Sequence, residues 1–272
     1  MSVIRVRAPA TTANVGPGYD CVAVALDLWN ELEVSDGDGV ADADHLGVEA
    51  FARLAPVEGK SFAFVDRIPR ERGLGSSASV IALGLVAAAA VAGLDLGPED
   101  LLAEALPLEG HPDNLAAALA GGVCLTWETR IARVADDTPA VPIALVPETT
   151  VSTAAAREAL PTEVPHADAA FTAGRAALLG AALASGSAEL FADALADRLH
   201  EPYRASGAPL LAAVRGQPPA GALGSTVSGS GPTVVVWAAR ESAEACAREL
   251  RERFPEVSVQ TLPVSPRGAH LL

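Results

Sequence analysis

The run Arg70-Glu71-Arg72-Gly73-Leu74-Gly75-Ser76-Ser77-Ala78-Ser79 leads straight into an alanine-rich apolar stretch. Glycine lets a backbone turn tightly and come close to a ligand. Serine hydroxyls and the free amides of a helix N-terminus present donors there, and the helix dipole favours an anion. Such a segment can cradle a phosphate without a lysine. The same serines also suit a plain helix N-cap, so these residues alone leave both readings open. A second glycine turn, Ser228-Gly229-Ser230-Gly231-Pro232-Thr233, precedes an apolar strand. None of Ser76, Ser77, Ser228 and Ser230 has the G-x-S-x-G pattern of a hydrolase elbow. Two polar segments complete the set. Pro9-Ala10-Thr11-Thr12-Ala13-Asn14-Val15-Gly16-Pro17-Gly18-Tyr19-Asp20 reads as a loop after the first strand, and Glu109-Gly110-His111-Pro112-Asp113-Asn114 opens a helix. In the latter, Asp113 reads as a first-turn charge that offsets the helix dipole.

Composition narrows the chemistry. The chain has 272 residues, 19 basic and 34 acidic, and a formal charge of −15. That balance argues against nucleic acid, whose binding rests on neutralising phosphates. Lys60 is the only lysine. P-loop NTPases, protein kinases and Schiff-base enzymes each need a placed lysine. Gly59-Lys60-Ser61 looks like a Walker A ending, but the glycine required further upstream is replaced by Leu54. Cys21, Cys124 and Cys246 stand apart, as buried thiols of a reducing compartment do. The opening Met1–Arg7 alternates like a strand and lacks a signal-peptide core, and Val80–Leu94 is short for a membrane span. A cytoplasmic protein without membrane attachment is the expectation.

The elements that must position these segments follow from periodicity and breakers. Strands are expected at Val3–Ala8, Cys21–Glu33 (long, with a bulge or bend), Ser61–Arg67, Val123–Thr126, Val141–Val146 and Thr233–Trp237. Helices are expected at Ser76–Ala92, Pro98–Ala105, Pro112–Ala120, Ala167–Ala184, Ala188–Leu199 and Glu241–Phe254. With 57 alanines, the core relies on small side chains and close helix packing. Strands and helices outside a strict βαβ alternation favour an α+β fold over a doubly wound sheet. The polar, proline-bearing stretch Asp136–Ala140 marks a boundary between units 1–138 and 139–272.

Taken in order, the four segments resemble the GHMP kinases, the superfamily of galactokinase, homoserine kinase, mevalonate kinase and phosphomevalonate kinase. The Pro69…Gly73-Leu74-Gly75-Ser76-Ser77-Ala78 loop is similar to that superfamily's ATP-phosphate signature. The homoserine kinase branch matches best. It is carried by the Pro-Ala-Thr-x-Ala-Asn…Gly-Pro-Gly-aromatic-Asp opening, by Glu109–Asn114, and by two arginine segments, Ser152–Pro161 and Asp197–Arg204. The resemblance implies a two-domain GHMP kinase-like α+β architecture. Its N-terminal ATP-binding domain would resemble domain 2 of ribosomal protein S5, and its C-terminal domain would be ferredoxin-like.

The resemblance also implies ATP and Mg²⁺ as cofactors and transfer of the γ-phosphate to the side-chain hydroxyl of L-homoserine, with a homodimer common in the family. Arg72, Gly73, Leu74, Gly75, Ser76, Ser77 and Ala78 match the ATP-phosphate positions. Arg157 and Arg204 match those that take the substrate carboxylate, Asp20 that for the ammonium, and Asn14, His111 and Thr153 others around the substrate. Asn114 matches the residue near the reacting hydroxyl. It stands where mevalonate kinases place a carboxylate base, so the proton is expected to pass to a phosphate oxygen without a strong protein base. Ser77 and Glu109 are the metal candidates, with Glu104 the alternative carboxylate. The rival readings are another GHMP small-molecule kinase and a non-catalytic amino-acid sensor. Two departures stand out. Asp36–Gly47 lacks the asparagine usual near the adenine pocket, and Asn114-Leu115-Ala116-Ala117-Ala118 replaces a commoner Val-Ala-Pro sequence.

Overall fold

The computed structural model describes residues 3–37 and 44–272. In chain order the elements are β1 (Ile4–Asn14), β2 (Gly18–Asp36), α1 (Leu46–Ala52), β3 (Lys60–Val65), α2 (Ser76–Ala92), α3 (Pro98–Glu109), α4 (Pro112–Ala120), β4 (Val123–Trp127), β5 (Arg130–Ala135) and β6 (Val141–Val146). Then come α5 (Thr153–Glu158), α6 (His166–Ser185), α7 (Ala188–Ala194), α8 (Glu201–Arg204), α9 (Pro209–Gly216), β7 (Ala222–Val227), β8 (Val234–Ala238), α10 (Ala243–Arg253), β9 (Ser258–Thr261) and β10 (His270–Leu271).

Two antiparallel sheets organise the chain. The first runs β10-β1-β2-β4-β5, with β3 also paired to β2. Helix α2 is apolar on nearly every side and is buried accordingly. The second sheet runs β7-β8-β6-β9, and its path of strand, helices, hairpin, helix and strand is ferredoxin-like. Leu74, Val24, Leu26, Leu179, Phe191 and Trp237 share one buried cluster. This core ties the glycine loop and the first sheet to the second.

Several expected bounds are met at both ends, including α2, α4 and β6. Others differ for physical reasons. β1 does not stop at Ala8 but runs to Asn14, with register shifts at Pro9/Ala10 and Ala13/Asn14. The polar residues there are buried and face partners inside the molecule, so Thr11, Thr12 and Asn14 belong to a strand, not a loop. The expected Ala188–Leu199 helix ends at Ala194. Asp197 then accepts bonds from the amides of Leu199, His200 and Glu201, which starts a separate turn. The tail of the unit expected at 139–272 also makes contacts outside the second sheet. Asp27 and Gly122 amides bond to Pro263 and Ser265 carbonyls, and β10 pairs with β1, so the last ten or so residues return to the first sheet. No helix among the described residues is long and apolar enough to cross a membrane.

Candidate active site

A cleft of about 510 Å³ opens between the two sheets. It is walled by the β1–β2 hairpin, the loop before α2, the α3–α4 junction, α5, α8 and the 228–231 turn. All four sequence segments therefore meet in one place.

The glycine loop is clamped from three sides. Leu74 is fully buried and its carbonyl accepts from the Thr11 amide at 3.1 Å, so its side chain anchors the loop rather than facing the cleft. Ala78 is likewise buried. Arg72 donates to the carbonyls of Pro147 (2.9 Å) and Glu148 (2.6 Å), bracing the loop against the second sheet. A Cβ at Gly73 (φ +77°) would stand 2.2 Å from the Ser228 carbonyl oxygen, and one at Gly75 (φ +63°) 1.8 Å from Thr11 Oγ1. The Ser76 hydroxyl leans back on the Ile68 carbonyl at 3.4 Å, which leaves the first amides of α2 facing the cleft. Gly73→Ala should cost about 1–3 kcal/mol of strain and raise the KM for ATP about tenfold. Thermal unfolding and ATP titration of the rate check this.

Ser77 donates to Glu109 Oε1 at 2.8 Å. Burial pushes the Glu109 carboxyl above its usual range, and the serine bond only partly offsets this. A carboxylate in that position, with one hydroxyl for company, suits a cation. No group of three or more His, Cys, Asp or Glu among the described residues could hold a metal alone. Mg²⁺ in phosphoryl transfer takes one or two carboxylates and completes its shell with phosphate oxygens and water, so the donor set fits. Glu104 does not reach the cleft; it pairs with Arg53 at 2.8 Å. Lys60 pairs with Asp36 at 2.7 Å on β3.

Asn114 lies one turn into α4, where its Oδ1 accepts from the Thr11 hydroxyl at 2.6 Å. Asp113 beside it is buried, with Oδ1 accepting from the Asn114 amide at 2.7 Å. Burial pushes the Asp113 carboxyl up to about 7. Sequence reasoning assigned no role to Thr11 and gave Asp113 only that of a first-turn charge offsetting the helix dipole. Both stand inside quoted motifs, but the strand that turns Thr11 inward and the burial of Asp113 are tertiary facts.

At the other end, Arg157 in the last turn of α5 donates to Asp20 Oδ1 at 2.6 Å and to the Tyr19 hydroxyl at 2.9 Å, while its Nε is buried without a partner. Arg204 on α8 is buried and donates to the Ala156 and Gly229 carbonyls. His111 lines the same cleft, and burial, reinforced by the Arg157 charge, holds its imidazole below the usual range. Thr153 lines the rim. Asn14 is buried and already committed: it donates to the Gly229 carbonyl at 2.8 Å and accepts from the Asp20 amide at 3.0 Å. It shapes the pocket by holding the hairpin to the 228–231 turn. On the opposite side of the glycine loop, His45, Leu46, Pro69 and Val80 line the cleft. Half of the segment without the expected asparagine, residues 38–43, lies outside the described residues.

Residues 43–122 match the family profile "GHMP kinases N terminal domain" and residues 178–256 match "GHMP kinases C terminal". The homoserine kinase of Gloeobacter violaceus is 38% identical over 98% of each chain. The chain belongs to the GHMP kinase family. Within the GHMP kinases its likeness runs to homoserine kinases. That of a Synechococcus species is 40% identical, covering 91% of this chain and 89% of that one. The crystal structure of homoserine kinase from Cytophaga hutchinsonii superposes with a TM-score of 0.86 at 26% identity, covering 100% and 98%. A GHMP kinase is a phosphotransferase, and the glycine loop with its exposed helix N-terminus matches that chemistry without a lysine.

Proposed function

We propose that this GHMP kinase transfers the γ-phosphate of ATP to the side-chain hydroxyl of L-homoserine, giving O-phospho-L-homoserine. The observation that carries the reading is the substrate end of the cleft. Two arginines and an aspartate face one small volume, with Arg157 and Asp20 neutralising each other at 2.6 Å. An amino acid brings the same two charges in opposite order. Its carboxylate takes the planar donors of Arg157 and Arg204, and its ammonium replaces Arg157 at Asp20. The internal ion pair becomes two, so no charge is left unpaired when the ligand enters. A sugar or a hydroxy acid offers no ammonium for Asp20.

The hydroxyl of a zwitterion anchored this way points toward Asn114 and Asp113, with the glycine loop beyond. Positioning and charge stabilisation dominate phosphoryl transfer. The amides of Ser76 and Ser77 hold the phosphates against the α2 N-terminus, and Ser77 Oγ and Glu109 would hold Mg²⁺. Bound there, Mg²⁺ neutralises charge on the phosphate oxygens. Asp113 revises the expectation of a reaction without a base. A carboxyl titrating near 7 is half ionised at neutral pH and accepts the hydroxyl proton as the oxygen attacks.

A coupled ADP-release assay over a panel of alcohols tests the reading. Mg²⁺-dependent turnover of L-homoserine supports it; turnover of mevalonate or a sugar with none of homoserine overturns it. Glu109→Gln keeps the shape and the Ser77 bond but removes the charge. It should weaken apparent Mg²⁺ affinity about tenfold to a hundredfold, read by titrating Mg²⁺ at fixed ATP.

A further inference from the structure

Two aromatic side chains between the arginines have no part in the chemistry above. His200 is fully buried. Its Nε2 lies 2.7 Å from the Gly16 carbonyl oxygen, which can only accept, so Nε2 carries the proton. Nδ1 is then a lone pair, and Arg204 Nη1 donates to it at 3.4 Å. Burial is the main influence holding the imidazole below its usual range, and the Arg204 charge adds to it, so the neutral form is the one present at pH 7. Asp197 does not compete for the ring as a hydrogen-bond partner: its carboxylate lies 3.7 Å from Nε2 and accepts the backbone amides that start α8.

The His200 ring stacks on Tyr19 with centroids 5.0 Å apart. Tyr19 in turn touches both arginines. Its ring centroid is 5.1 Å from the Arg204 guanidinium carbon and 5.6 Å from that of Arg157, within cation–π range. Its hydroxyl accepts from Arg157 Nη1. The two cations are thus held side by side by an uncharged platform, although among the described residues only Arg157 of the pair has a carboxylate partner. Holding like charges together in a half-buried cleft is unfavourable unless an anion joins them.

We propose that Tyr19 and His200 are positioning residues that pre-arrange Arg157 and Arg204 for one carboxylate, the phenol hydroxyl aiming Arg157 and the imidazole Nδ1 aiming Arg204. The proposal rests on the homoserine reading and adds to it what fixes the geometry of the arginine pair. A neutral acceptor leaves each guanidinium its full charge for the ligand, which an acidic partner in the same place would cancel. The device is therefore selective for carboxylate binding, and it leaves the phosphate end alone.

The test is one mutant cycle and two single variants, read on KM for L-homoserine, kcat and KM for ATP. Tyr19→Phe should raise the homoserine KM about tenfold while kcat and the ATP KM stay within about twofold. In an Arg157→Ala background the same change should have a clearly smaller effect, because the hydroxyl has lost its Arg157 partner. His200→Asn retains an acceptor at the Nδ1 position and should keep the homoserine KM near that of the unaltered enzyme. His200→Gln places its amide at the Nε2 end and should raise the homoserine KM. Equal effects in both Arg157 backgrounds, or parallel changes in the ATP KM, would overturn the proposal in favour of plain packing. If His200→Gln fails to fold, the Tyr19 cycle alone decides. An unaltered enzyme that does not use homoserine at all refutes the substrate reading instead, so the two failures are distinct.

Discussion

Arg157→Ala is expected to raise the KM for L-homoserine about thirtyfold to a hundredfold, with the ATP KM changed by no more than about threefold. The side chain bonds to the hairpin, through Tyr19 and Asp20, and also lines the space left for the carboxylate. Removing one partner of a hydrogen-bonded charge pair costs about 2–5 kcal/mol when it is buried. Arg157 is about a third exposed, which places the loss near the lower end, at about 2–3 kcal/mol. The fold should survive, because Asp20 is also partly exposed and can be hydrated. Steady-state kinetics with each substrate varied in turn checks this. A kinase of this family acting on an uncharged alcohol would show no such selectivity.

Asp113→Asn is expected to separate catalysis from stability. With Asp113 as proton acceptor, the rate should rise with pH through about 7, and the variant should lose that limb and about 10²- to 10⁴-fold in kcat. The effect on stability has the opposite direction. The folded carboxyl titrates at about 7 against 3.8 unfolded, so between those values the folded chain holds a proton that the unfolded chain has released. Stability therefore falls as pH rises through that window, and the full penalty, on the order of 4 kcal/mol, applies above about 7. Asparagine is neutral at every pH and carries no such penalty. The variant should melt higher than the parent at pH 8 and about equally at pH 4. A pH–rate profile with the limb intact would instead assign the proton to a phosphate oxygen.

The local readings that succeeded rest on local physics. Helix α2 begins at the residue after Gly75 and ends before Gly93, because glycines in left-handed conformations flank an unbroken apolar run. The site readings came from segments short enough to act as motifs. Asn14 shows the limit of that approach: its type and position are readable, but its bonds to Gly229 and Asp20 exist only once the second sheet is folded against the hairpin. The burial that raises Asp113, the inward turn of Thr11 and the ring contacts of His200 have the same origin. β5 and β7 escaped notice because Arg130–Ala135 and Ala222–Val227 interrupt their few apolar side chains with polar or small ones, and pairing with β4 and β8 makes them strands. The return of the tail to β1 leaves no mark in composition either.

The most direct measurement is of the product itself. The protein incubated with Mg-ATP and ¹³C-labelled L-homoserine can be followed by ³¹P and ¹³C NMR. The account predicts a phosphate monoester on the side-chain oxygen, formed one for one with ADP and only when Mg²⁺ is present. ADP released with homoserine unchanged, or phosphate found on the carboxylate, would contradict it.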